Sequence, residues 1–164
     1  MSALGFRRVT AAVFVLFGFA VLEAAAGPAE IAQIKPRQDK LRDMGGALKA
    51  INDDIKRGRI DWDNTVIPNA QTIKDRSAYL LNWFPKGSGP ETGKKTYALP
   101  AVWQKNDEFQ KLGKAAQAEA VKLNDIALKK DEAGLKAQVM ATGKACKACH
   151  DNYRSPDYEK ENEE

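Results

Sequence analysis

Two thiols and one imidazole stand together in the run Cys146-Lys147-Ala148-Cys149-His150, and the 164-residue chain has no other cysteine and no other histidine. Spaced three and four apart, all three side chains share one helical face. Leu135, Val139, Thr142 and Tyr153 recur on that same face, so the run sits on the buried seam of its helix. A C-x-x-C-H run attaches a c-type haem, the thiols closing thioethers onto the porphyrin vinyl groups while the imidazole ligates iron. The fold must therefore close around one flat, rigid group. A seam of Ala, Thr and Cys needs such a group to fill it, so the haem-free chain is expected to be poorly folded.

Other readings of the run are weaker. A thioredoxin-like dithiol opens a helix after a strand, whereas this one ends a helix with no strand before it. A structural zinc site needs a fourth ligand that no further cysteine or histidine supplies. A plain disulfide in an exported chain remains the alternative.

Four amphipathic stretches surround this seam. Over residues 31–56, Ile34, Leu41, Leu48 and Ile55 recur every seven, with Met44 and Ile51 on the second seam position. Gly45 and Gly46 interrupt this helix at ~1 kcal/mol each in propensity, which suggests close approach by something bulky. Gly58 ends it after Lys56 and Arg57. A second helix is expected over 65–84, with Asn64 as its cap and Pro68 in its first turns. Residues 85–99, with three glycines and two prolines, read as a loop. Pro100 opens a third helix running to about Ala127, and a fourth is expected over 131–153. No stretch alternates with period two, so the fold class is all-α, an antiparallel four-helix bundle with covalently bound haem c.

Residues 1–26 read as a signal peptide: Arg7 and Arg8, an apolar run from Val9 to Leu22, and Ala24-Ala25-Ala26 before Gly27. About 14 apolar residues are too few to span a bilayer that needs ~20. Cleavage there leaves residues 27–164 as one exported, soluble domain. The 26 basic and 22 acidic residues of the chain are scattered, with no basic band for nucleic acid. Residues 155–164 hold five acids against one lysine and are expected to fray beyond the bundle.

The chain resembles the cytochrome c′ family, the class II cytochromes c. The likeness runs through Arg37-Gln38 with Leu41, the run Ala98-Leu99-Pro100-Ala101-Val102-Trp103, Phe109, and the residues 146–154 reading CKACHDNYR. It implies a periplasmic bundle with one covalently attached haem c near its C-terminus. Cys146 and Cys149 would hold the haem, and His150 would be the axial iron ligand. Arg37 and Gln38 match positions bordering the haem and its propionates, and Arg154 matches the basic residue beside the proximal histidine. For both arginines a surface ion pair is the competing reading. Relatives are often homodimers through their first two helices, though others are monomers.

The resemblance also locates the deciding position. Low-spin relatives place an iron-binding methionine four residues after the Arg37 counterpart, whereas five-coordinate cytochromes c′ place an apolar residue there. This chain has Leu41, which covers the iron without ligating it. Met140 lies on the haem-bearing helix, about 15 Å from His150 along its axis, and cannot reach the far face. Met44, three residues from Leu41, is the rival ligand. Two functions follow. One is a five-coordinate haem that binds NO or CO and passes electrons to redox partner proteins. The other is a six-coordinate His150/Met44 electron carrier. With no second histidine for an acid/base pair and an inert Leu41, an enzymatic role is not expected.

Overall fold

The computed structural model describes residues 27–162; the expected signal peptide over residues 1–26 lies outside them. Four long helices form the body: α1 (Ile34–Arg57), α2 (Ile67–Ser77), α3 (Asn106–Leu128) and α4 (Glu132–Tyr153), followed by a short α5 (Asp157–Asn162). Among the described residues no helix is long and apolar enough to cross a membrane.

Several helix ends differ from the sequence pattern for local reasons. A separate turn, Pro28–Ala32, precedes α1. Pro36 has no N–H for the Ala32 carbonyl and its ring crowds it, so the helix restarts at Ile34. Gly58 closes α1 at φ 63°, a left-handed position that suits glycine. Asp61, not Asn64, caps the next segment: its carboxylate accepts from the Asn64 backbone N–H at 3.0 Å. One π-helical turn, Trp62–Val66, leads into α2, with Pro68 at its start. The helix is about half its expected length because Gln117 of α3 donates to the Ser77 and Ala78 carbonyls, satisfying its end. A 3₁₀ turn, Leu80–Trp83, follows.

The third stretch is also split. Ala101–Gln104 forms one helical turn and Lys105 leaves helical geometry at φ −117°, ψ 48°. The Trp103 indole holds that turn against the preceding loop, donating to Phe84 O at 3.2 Å and Pro85 O at 3.0 Å. Asp131 caps α4, accepting from Gly134 N–H at 3.0 Å.

Helix α3 packs on α4 and α2, and α1 packs on α2. Contact between α1 and α4 is sparser, because a cavity separates them. The main core is built from Ile51, Val66, Ala70, Ile73, Leu123 and Leu135 with their neighbours. A smaller cluster of Val102, Phe109 and Tyr153, with Phe84 and Cys149 against it, walls one end of the cavity. The acidic tail is not frayed over its described part: α5 folds back across this end.

Candidate functional site

Which row of α1 faces the cavity follows from its two seams. Arg37, Met44 and Ile51, spaced by seven, are all buried, at 2%, 8% and 0% exposure. Leu41 and Leu48, on the other seam, are only partly buried. Leu41 lines the cavity together with Gly45 and with Cys146 and His150 of α4. The cavity has two lobes of about 270 and 430 Å³, sharing Leu41, Met44, Cys146, His150 and Arg154. All eight residues singled out from the sequence border the first lobe.

Its chemistry fits a porphyrin. Leu80, Phe84, Val102 and Phe109 give it apolar walls. Beyond the local backbone of α1 itself, no protein atom lies within 4 Å of the place a Cβ would occupy at Gly45 or Gly46, so neither glycine is required by another part of the chain. Cys146 and Cys149 are not joined to each other in a disulfide. Burial pushes both thiols up, Cys149 to about 11. Burial, followed by the Arg154 cation, pulls His150 down to about 4 and leaves a neutral imidazole with a free lone pair. Among the described residues no group of three or more His, Cys, Asp or Glu is placed to hold a metal ion.

The remaining candidates divide. Arg37 borders the cavity, but its guanidinium is turned into the 83–96 loop. It donates to Trp83 O (3.3 Å), Ser88 Oγ (3.0 Å), Ser88 O (3.0 Å) and Thr96 Oγ1 (2.9 Å). Its carbon also sits 4.7 Å from the Phe84 ring centroid. With 2% exposure, it is no surface ion pair; it clamps the loop that forms the cavity wall. Gln38 donates to Lys95 O at 3.1 Å, extending the clamp. Arg154 does pair with an acid, Glu159, and still borders both lobes. Met140 is 67% exposed, away from the cavity. Met44 borders both lobes yet is packed in the main core.

Sequence reasoning missed two wall residues, Tyr97 and Tyr158, and placed a third, Tyr153, only on the helix seam. Tyr97 and Tyr158 border the first lobe and meet edge to face at 5.1 Å. Tyr153 is 4% exposed, and its hydroxyl has no hydrogen-bond partner of normal geometry. Burial is the main reason its pKa is raised, and the nearby Glu108 carboxylate adds to this.

A helical bundle whose last helix presents two thiols and an imidazole to an apolar cavity defines a c-type cytochrome of the bundle class. The comparisons with known proteins narrow this. Residues 32–154 match the family described as Cytochrome C′. The chain is 34% identical over 145 residues to cytochrome c′ of Rhodopseudomonas palustris, covering 87% of this chain and 95% of that protein. It is 31% identical over 123 residues to cytochrome c-556 of Agrobacterium tumefaciens, covering 74% and 96%. A solved nitric oxide complex of a leucine-to-isoleucine variant of cytochrome c′ from Alcaligenes xylosoxidans superposes with TM-score 0.67 at 26% identity, over 77% of this chain and 96% of that one. The chain belongs to the cytochrome c′ family, and with it carries one covalently attached haem c.

Proposed function

We propose that this is an exported, periplasmic cytochrome in which Cys146 and Cys149 form the thioethers, His150 is the sole protein ligand of the iron, and Leu41 covers the opposite face. Such a haem iron, with one coordination position open, takes up small diatomics such as NO or CO and exchanges single electrons. The chain's own groups supply the selectivity. Neutral His150 offers its lone pair from α4. The Leu41 side chain has no lone pair to donate, and with Phe84 and Phe109 it disfavours water and polar ligands. With no acid/base pair beside the iron position, the site binds and releases without turnover.

One observation carries this reading: Leu41 and His150 line one cavity from two different helices. The nitric oxide complex of the Alcaligenes xylosoxidans relative supports it. The second reading, with Met44 as sixth ligand, is favoured by the place of Met44 on both lobes. It requires the thioether to leave its packing in the main core.

The optical spectrum of the reduced protein tests the choice. A broad high-spin spectrum that shifts on adding carbon monoxide is expected. Sharp low-spin bands indifferent to carbon monoxide would sink the open site. Their loss in Met44→Ala would then identify the ligand.

A further inference from the structure

The family match ends at residue 154, yet the chain beyond it is held in place. Ser155 donates its backbone N–H to Tyr97 O at 2.7 Å, beside an isolated antiparallel bridge between Ala98 and Arg154. Pro156 cannot continue α4, and α5 turns back over the cavity. The Tyr158 ring meets Tyr97 edge-on at 5.1 Å, and the Arg154 guanidinium carbon lies 4.4 Å from the Tyr158 centroid. Arg154 pairs with Glu159. Glu161 accepts from Lys95 and, at 2.7 Å, from the Tyr97 hydroxyl. Tyr158 borders the first lobe and Glu159 the second. The segment therefore borders both lobes, joining the end of α4 to the 95–98 chain.

We propose that residues 155–161 are a strap that covers one opening of the haem cleft, and that Tyr158 and Glu161 set how readily small solutes enter there. The inference rests on haem filling the cleft, and not on whether Leu41 or Met44 faces the iron. The strap is built to open. Its ion pairs are exposed, hence individually weak and screened by salt. A six-residue helix has no stability of its own. Opening releases it from Tyr97 and leaves the four long helices intact, a local event well below global unfolding.

The test uses the holo protein in four forms: wild type, Tyr158→Ala, Glu161→Gln and Glu132→Gln. The last removes one negative charge at the far end of α4. Two rates are read at fixed ionic strength: amide hydrogen exchange at Ser155, and reduction of the ferric haem by ascorbate. An aromatic pair of this geometry is worth roughly a three- to tenfold factor in the opening equilibrium. Tyr158→Ala, which changes no charge, should accelerate both rates by about that factor. Glu161→Gln should accelerate both by less, and Glu132→Gln neither. Unchanged exchange at Ser155 in Tyr158→Ala would show that these contacts do not hold the segment. Faster exchange with unchanged reduction would show that it covers nothing. Either result overturns the proposal. Ascorbate reduces five- and six-coordinate haem alike, so a low-spin spectrum would defeat the open-site reading while leaving this test intact.

Discussion

Replacing Arg37 by methionine should unfasten the wall of the site while leaving its ligands untouched. Burial pulls the guanidinium down to about 10, with Glu91 opposing weakly. At ~1.4 kcal/mol per tenfold, confining the charge costs about 3 kcal/mol. Four acceptors offset this, since a hydrogen bond from a charged donor contributes ~1.5–3 kcal/mol. Methionine keeps much of the stem volume and removes the desolvation cost, but it strands Trp83 O and Ser88 O, while Thr96 Oγ1 keeps the Ala98 N–H at 3.2 Å. Ser88 Oγ retains its bond to Pro85 O at 2.8 Å. Buried acceptors left alone cost ~1–3 kcal/mol each where water cannot reach them. With partial access through the cavity, a net loss of about 3 kcal/mol is expected. For a domain of this size that lowers Tm by roughly 10 °C, read by far-UV circular dichroism on the holo protein. Amide exchange at Thr96 and Ala98 should rise more than exchange within α3, because the loop is what the guanidinium tethers. Arg37→Lys should recover only part of the loss, a single ammonium being unable to serve all four acceptors. A Tm within a few degrees of wild type for Arg37→Met would refute the clamp.

Three further outcomes are expected. Gly45→Ala should gain ~1 kcal/mol in helix propensity if nothing meets its Cβ; because Gly45 borders both lobes, the holo protein should instead lose stability and shift its Soret band, and a stabilised variant with an unaltered spectrum would place the glycines away from the haem. Asp54 is 3% exposed, and the Asp61 N–H first, then Arg57, hold its carboxyl below the usual range; a depressed folded pKa stabilises fully above the ordinary value near pH ~4 and less as the pH falls through the folded value. Asp54→Asn should therefore destabilise at neutral pH and flatten the acid limb of the Tm–pH curve, whereas a parallel, merely displaced curve would remove Asp54 from that role. Haem-free protein, made with Cys146→Ser and Cys149→Ser, should lack a cooperative melt, because the apolar walls given by Leu80, Phe84, Val102 and Phe109 would then face water; a sharp calorimetric transition would contradict this.

What was legible in the sequence was whatever is encoded by spacing along one helix. The thiols and imidazole share a face because they are three and four apart, and the cavity stands where that face meets Leu41. Proline and glycine marked helix ends where their effect is local, as at Gly58 and Pro68. Asp61 was overlooked as a cap because Asn64 can cap equally well by type; the π-helical turn between them decides which residue faces the free N–H groups. The shortening of α2 could not be read locally, since the groups ending it come from Gln117, 39 or 40 residues away in sequence.

Arg37 carries the more general lesson. Its spacing of seven from Met44, and of fourteen from Ile51, was a visible sign of burial, because a charged residue in a seam row must find polar partners in the interior. Those partners lie 46 to 59 residues further on, in a loop whose composition announces only that it is not helical. The likeness to haem-bordering positions places Arg37 at the cavity, which it lines, while its two terminal amino groups also donate to the loop. The tail is the case the sequence misled on. Five acids after Pro156 look like a solvated end, yet Lys95, Tyr97 and Arg154 offer two of them, Glu161 and Glu159, partners from elements distant in sequence or on the helix before. The same charge pattern frays when the surface beneath is neutral and folds back when it is basic and aromatic. The strap's presence was thus a property of the cleft's rim, not of the tail's own composition.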